Sequence, residues 1–154
     1  SYYILTGLLC PANKFPAGKR QEAEQTMQIH QSAEDYLETI LMLNQRMGRV
    51  RSIDVVNELG YTKASVSIAM KKLRENGYIA VDGEGNLTLL EPGREIAERI
   101  YSRHRLLTHF FVQLGVDEQT AAEDACKAEH ILSEQTLEKI REYALLHDAQ
   151  DSVK

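Results

Sequence analysis

The sequence predicts a mostly α-helical protein in which a winged helix-turn-helix precedes a second helical region. Long segments carry apolar residues at the three- and four-residue spacing of a helix. Only nine glycines and three prolines interrupt the 154 residues, and two short apolar runs flank the glycine-rich segment DGEGN. No run of about 18 apolar residues is present, which predicts no membrane partner. Two distant cysteines give no disulfide framework, as is typical of a cytoplasmic protein.

These patterns divide the chain into three regions, and its length fits one domain or two small ones. Residues 1–26 are interpreted as an N-terminal extension, either poorly structured or packed on the body as a short element. Met27 is a candidate natural start. Residues 27–92 contain the predicted winged helix, and residues 93–154 contain the second helical region.

The charge of the chain is unevenly distributed. The net charge of −5 argues weakly against a nucleic-acid partner. However, the segment Arg49–Asn76 holds six basic and three acidic residues, whereas Glu91–Lys154 holds eight basic and thirteen acidic residues. A basic middle and an acidic end indicate that the middle faces phosphate while the end serves another purpose.

The first helix is predicted from Ser32 to Met47. Ser32 is a favourable N-cap, and Asp35 could complete a capping box three residues later. Asp35 and Glu38 lie one turn apart at the edge of the buried stripe. They are either first-turn acids favoured by the helix dipole or candidate metal ligands. The predicted buried stripe consists of Tyr36, Leu37, Ile40, Leu41 and Leu43.

Two short helices joined by a tight turn follow, which is the layout of a helix-turn-helix. Ser52 is predicted to cap the first, from Ile53 to Leu59, and Thr62 to cap the second, which ends near Gly77. The N-terminal end of the second helix is where a recognition helix meets base edges. A generic helical hairpin with a hydrophilic face is the alternative. The predicted DNA-binding residues are Thr62, Lys63, Ser65, Ser67, Lys71 and Lys72.

A two-stranded hairpin is predicted next, with strands at Tyr78–Val81 and Leu87–Leu90 around DGEGN. A hairpin directly after a recognition helix is a wing. Its tip carries Asp82 and Glu84 instead of basic residues. We therefore expect no strong phosphate contact from this wing.

The second region begins with a long helix from about Gly93 to Leu114, which contains His104. A further helix, capped by Asp117, contains the segment EDACKAEH. Read as helix, this segment places Cys126, Glu129 and His130 on one face, because residues three and four apart are neighbours.

A thiol, a carboxylate and an imidazole at one spot are typical of a transition-metal site. Three donors rarely complete such a site, so the candidates for the rest are His104, Asp35 and Glu38. The alternative is an ordinary amphipathic helix with Cys126 in the core. A last helix, capped by Ser133, is predicted from Glu134 to Leu146. Its predicted apolar stripe is Leu137, Ile140, Tyr143 and Leu146.

Several motifs together resemble the diphtheria-toxin-repressor family of metal-dependent transcriptional regulators. These are SAEDYLETI, the winged helix-turn-helix, YSRHRLL and CKAEH, in that order, over about Ser32 to Tyr143. The two-domain manganese transport regulators are the most similar branch. The resemblance implies a homodimer whose N-terminal winged helix binds a palindromic operator in double-stranded DNA. It implies a C-terminal helical metal-binding and dimerisation domain, and metal-activated repression of metal-uptake genes.

The resemblance also implies a metal site made of Asp35, Glu38, His104, Glu129 and His130. Cys126 stands where the manganese branch has a bridging glutamate and where the iron-responsive branch has a cysteine. Asp35 in turn stands where the iron branch has a methionine. The ligand set is mixed, so the expected ion is either Mn²⁺ or Fe²⁺.

Two other functions stay open. A winged-helix regulator could sense an organic ligand, with the metal-like residues incidental. A helical metalloenzyme could also use carboxylates and histidines on helices, but the basic helix-turn-helix has no place in that function. We therefore expect a regulator and no enzymatic activity.

Overall fold

Six helices and one two-stranded sheet form the described part of the chain. In this computed structural model the described residues are 17–151, with side chains described from 31 to 150. None of the helices in that part is long and apolar enough to cross a bilayer. The helices are α1 (Ala17–Met47), α2 (Ser52–Leu59), α3 (Lys63–Glu75), α4 (Glu91–Gln113), α5 (Glu118–Ala128) and α6 (Glu134–Asp151), and the strands are β1 (Ile79–Val81) and β2 (Leu87–Leu89).

The first helix begins much earlier than predicted. It starts at Ala17, so the prediction that Ser32 caps it is wrong. The segment before Ser32 contains four glutamines, two glutamates and two alanines, which are strong helix formers, and the helix continues through the serine. The end of the predicted extension, from Ala17 to Thr26, therefore belongs to α1. The rest of that extension, residues 1–16, lies outside the described residues.

The chain divides into two units, Ser1–Ser32 and Ala33–Lys154. All side-chain interactions described below belong to the second unit. Its larger hydrophobic core joins α1, α2, α3, the two strands and the start of α4. The predicted stripe of α1 is buried in this core as expected, since Leu37 and Ile40 are completely inaccessible to solvent.

The helix-turn-helix forms as predicted, with one change at its start. Thr62 caps α3, because its Oγ1 accepts a hydrogen bond of 3.2 Å from the backbone nitrogen of Ser65. Arg51 occupies the cap of α2, where Ser52 was predicted. The reason is that the backbone nitrogen of Arg51 donates to Oδ2 of Asp54 at 2.8 Å, so that the helix already begins at Ser52.

The predicted wing is present as an antiparallel pair in which Ile79 faces Leu89. The acidic tip has a structural explanation. Oδ1 of Asp82 accepts hydrogen bonds of 2.9 Å from the backbone nitrogens of both Glu84 and Asn86. Asp82 therefore closes the turn.

Helix α4 passes very close to the wing. A Cβ atom on Gly93 would lie 2.2 Å from the carbonyl oxygen of Tyr78. Only a glycine allows the two backbone segments to come this close. The contact fixes the direction in which α4 leaves the winged helix.

A smaller core of Leu107, Ala125 and Leu137 joins α4, α5 and α6. Tyr143 and Leu146, the other two residues of the predicted apolar stripe of α6, do not belong to this core. These side chains are 46% and 65% exposed, because α6 continues past the small core to Asp151.

Candidate metal centre and nucleic-acid interface

Two acidic residues of α1 face the interior of the second unit. Glu38 is only 6% exposed, and Asp35 is half-buried one turn before it. They lie far from the start of α1 at Ala17, so the partial positive charge of a helix N-terminus does not explain them. Their charges must be balanced by other side chains or by a cation.

The end of α5 places two further residues beside these acids. The prediction that EDACKAEH is entirely helical is wrong at its end, because α5 stops at Ala128 and His130 lies in the following turn. The carbonyl of Ala128 closes this turn by accepting from the backbone nitrogens of Ile131 and Leu132. Glu129 is fully buried and the side chain of His130 is 2% exposed.

Asp35, Glu129 and His130 form the first candidate metal group. Nε2 of His130 lies 2.7 Å from Oδ1 of Asp35 and 3.4 Å from Oε1 of Glu129. One ligand atom from each residue lies within 4.8 Å of the others. Two segments that are distant in sequence thus supply donors to one point.

Glu38, His104 and Glu129 form a second group with the same mutual limit of 4.8 Å. Nδ1 of His104, from the middle of α4, lies 2.9 Å from Oε2 of Glu129. Glu129 belongs to both groups and offers one oxygen to each histidine. The two groups are therefore adjacent.

The hydrogen bonding of this cluster fits a cation. Oε1 of Glu129 and Nε2 of His130 are both buried, and among the described residues neither has a partner in hydrogen-bond geometry. The short contact between His130 and Asp35 is at ion-pair distance but lacks the angles of a hydrogen bond. Buried polar atoms are almost always satisfied, and a bound ion is one of the accepted explanations when the protein itself offers them no partner.

The electrostatics of the cluster also favour a cation. Burial, followed by the nearby carboxylate of Glu129, raises the pKa of Glu38 from 4.5 to about 8. Burial alone would lower the pKa of His130, but contacts with Asp35 and Glu34 raise it to about 9. Both shifts arise because carboxyl groups are crowded in a space with little water.

Cys126 stands at the border of this cluster. It is exposed, and it belongs to neither candidate group of described residues. Desolvation and the carboxylates of Glu129 and Asp35 raise the pKa of its thiol to about 11. Cys126 is therefore a neutral thiol at neutral pH, close enough to the acids to sense their charge.

Three residues near the cluster were missed by the sequence analysis. Oε2 of Glu34 lies 2.8 Å from Nδ1 of His130, and a guanidinium nitrogen of Arg99 lies 3.7 Å from the other oxygen of Glu34. Arg103 donates to the backbone carbonyl of Glu129 at 3.3 Å. Helical periodicity could not identify these residues, because the contacts connect separate helices.

The six predicted DNA-binding residues lie on the exposed surface of α3 and at its cap. The hydroxyls of Thr62 and Ser65 already bond each other at 2.8 Å, so part of their capacity serves the cap. Ile68, which the prediction omitted, is 58% exposed on the side of α3 opposite the buried Val66 and Met70. Ala64 is exposed one turn before it. The exposed surface of α3 therefore includes two apolar side chains among the polar ones.

Comparisons with known proteins identify domains of one family in both halves of the chain. Residues 28–87 match the family described as iron-dependent repressor, N-terminal DNA-binding domain. Residues 90–146 match the family described as iron-dependent repressor, metal-binding and dimerisation domain.

Individual relatives are similar over most of their length. An uncharacterized HTH-type transcriptional regulator of Methanocaldococcus jannaschii is 37% identical over 115 residues, which cover 73% of this chain and 92% of that protein. The transcriptional regulator MntR of Bacillus subtilis is 32% identical over 123 residues, which cover 80% of this chain and 87% of that protein.

A solved structure of a manganese-dependent transcriptional repressor in complex with manganese has the same fold. Its TM-score is 0.67 at 28% identity, over 73% of this chain and 52% of that chain. The present chain therefore spans about half the length of that solved chain.

Proposed function

The chain belongs to the iron-dependent repressor family, which is the diphtheria-toxin-repressor family, and on that premise we propose that it is a cytoplasmic, metal-dependent transcriptional repressor. It binds a palindromic operator as a homodimer and controls metal-uptake genes. It acts by binding and does not turn over a substrate.

The observation that carries this proposal is the meeting of acids and histidines from three parts of the chain. Asp35 and Glu38 come from α1 of the winged helix, His104 from α4, and Glu129 and His130 from the end of α5. These five residues would hold the ion, and Cys126 borders them. Carboxylate and imidazole ligands suit Mn²⁺ and Fe²⁺.

A bound divalent cation supplies the positive charge that offsets the crowded carboxylates. Asp35 and Glu38 are then held against Glu129 and His130, because the ion offsets the repulsion among the three carboxylates. Because α1 packs through Leu37 and Ile40 into the core of the winged helix, fixing its acids fixes the winged helix as well.

Two recognition helices must sit about one DNA turn, about 34 Å, apart to read a two-fold site. Fixing each winged helix on its dimerisation region fixes this spacing. Metal and operator affinities are then coupled reciprocally, by about 1–3 kcal/mol.

The decisive experiment measures operator binding in the presence of Mn²⁺, Fe²⁺ and other divalent ions, with the operator selected from random duplexes. We expect His130→Ala to lose the metal-dependent part of the affinity while the protein remains a dimer. His109→Ala is the matched control, because His109 contacts Asp148 on α6, away from the cluster.

A metal response in His130→Ala equal to that of the wild type would overturn the assignment of the site. DNA binding that ignores every divalent ion would instead favour a regulator that senses an organic ligand. Turnover of an oxidase or hydrolase substrate by the metal-loaded protein would favour a metalloenzyme.

A further inference from the structure

We propose that Glu34 is a positioning residue of the metal site, which holds Nδ1 of His130 so that Nε2 points at the space between Asp35 and Glu129. The proposal rests on the proposed function, because it concerns the same site. It assigns a role to a carboxylate that belongs to neither candidate ligand group of described residues.

The contact between Glu34 and His130 is short and protected. Oε2 of Glu34 lies 2.8 Å from Nδ1 of His130, and the two residues are 96 positions apart in sequence. The side chain of His130 is 2% exposed and that of Glu34 is 24% exposed. Little water competes for this contact, so it constrains the imidazole ring.

This contact determines which nitrogen is available to a cation. A carboxylate can only accept a hydrogen bond, so Nδ1 facing Glu34 must carry the proton. Nε2 is then the nitrogen that can present a lone pair, and it is the buried atom 2.7 Å from Asp35 and 3.4 Å from Glu129. Metal-binding histidines are generally oriented in this way by a carboxylate or carbonyl on their other nitrogen.

Glu34 is itself poorly placed to act as a ligand. Its Oε2 lies on the Nδ1 side of the imidazole, away from Nε2. Its Oε1 is 3.7 Å from a guanidinium nitrogen of Arg99, which offsets part of its charge. Arg99 in α4 and Glu34 in α1 thus form a second layer behind His130.

The test compares Glu34→Ala and Glu34→Gln with the wild type. Mn²⁺ affinity is measured by calorimetry, and the ring nitrogens of His130 are followed by ¹H–¹⁵N NMR in protein loaded with diamagnetic Cd²⁺. We expect Glu34→Ala to weaken Mn²⁺ binding by about 10- to 100-fold and to release the Nδ1 proton to solvent exchange. Glu34→Gln keeps an accepting oxygen, so we expect it to recover most of the affinity and the Nδ1–H signal.

Glu98→Ala is the matched control. It removes one carboxylate, which pairs with Arg94 and is 60% exposed, so it changes the net charge equally and leaves His130 untouched. If Glu34→Ala does not fold, Glu34→Asp takes its place. This variant shortens the side chain by one methylene, and we expect it to weaken Mn²⁺ binding as well.

Two results would overturn this inference while the proposed function stands. One is wild-type affinity and an unchanged Nδ1–H signal in Glu34→Ala. The other is a loss in Glu34→Gln as large as in Glu34→Ala, with fewer ions bound, which would make Glu34 a ligand. A wild-type protein that binds neither Mn²⁺ nor Cd²⁺ would overturn the proposed function itself, and the inference with it.

Discussion

Glu38 and Glu129 are two buried carboxyl groups that lie side by side, with an oxygen of each within 4.8 Å of the other. Two carboxylates this close repel each other, which favours the state in which one of them keeps its proton. Together with burial, this explains why the pKa of Glu38 is raised to about 8. The arrangement is unfavourable for the ionised protein without a cation, and this has measurable consequences for stability and for metal binding.

Glu38→Gln is expected to stabilise the metal-free protein and to weaken its binding of Mn²⁺. In the wild type, Glu38 keeps its proton up to about pH 8 when folded but ionises near 4.5 when unfolded. Stability is therefore lost as the pH rises between these two values. The variant lacks this loss, so at about pH 8 its free energy of unfolding should exceed that of the wild type by roughly 2 kcal/mol.

Urea denaturation in the presence of a chelator, repeated from acidic to slightly alkaline pH, measures this difference. Glu98→Gln is the control, because Glu98 is an exposed acid on α4. A Glu38→Gln protein less stable than the wild type over the whole range would contradict the predicted repulsion.

Metal binding should release protons at neutral pH. Glu38 and His130, with pKa values raised to about 8 and about 9, both hold protons that a metal ligand must give up. Mn²⁺ affinity should rise with pH, by up to about 100-fold per pH unit while both groups are protonated, and level off above about pH 9. Calorimetry in buffers of different ionisation enthalpy counts the protons released, and an affinity independent of pH would refute the assignment of these ligands.

Gly93→Ala should destabilise the winged helix. The new Cβ would lie 2.2 Å from the carbonyl oxygen of Tyr78, which is backbone and cannot move aside cheaply. We expect a loss of about 2–3 kcal/mol in the free energy of unfolding, as is usual for overpacking. Gly83→Ala adds the same methyl group in open space on the wing and should change stability by less than about 0.5 kcal/mol. Equal losses in the two variants would show that α4 does not need this close approach.

Ile68 should recognise a thymine methyl group in the operator. It is exposed and apolar on the outer side of α3, and apolar side chains contact the thymine methyl in the major groove. Replacing the contacted thymine by uracil should weaken wild-type binding about fourfold, the equivalent of one buried methyl group at about 0.8 kcal/mol.

Ile68→Ala should no longer distinguish the two bases at that position. The control is Ile53→Ala, which removes the same atoms from a 43% exposed residue of α2 and should retain the preference for thymine. If Ile68→Ala still prefers thymine at every position, another residue reads the methyl group.

The sequence alone predicted those elements that depend on residues close together in the chain. The spacing of Leu37 and Ile40, the cap at Thr62 and the turn between β1 and β2 each depend on residues within one or two turns of each other. The start of α1 was missed, because a favourable cap at Ser32 competes with helix-forming residues before it and does not stop the helix. A favourable N-cap residue marks a possible helix start. The helix propensity of the residues before it decides whether the helix begins there.

The metal centre could be predicted only in part from the sequence. Asp35, Glu38, Glu129 and His130 are detectable as pairs at helical or adjacent spacing, and the family resemblance joins them with His104. Glu34 and Arg99 act through contacts between helices, for which no periodicity gives a signal.

Glu34 and His130 are 96 positions apart in sequence, so their contact closes a very long loop. A ligand that binds only the folded form stabilises it in proportion to the logarithm of its concentration. We therefore expect resistance to proteolysis to follow the metal supply. A starved cell would then contain not only less active copies of the protein but also shorter-lived ones.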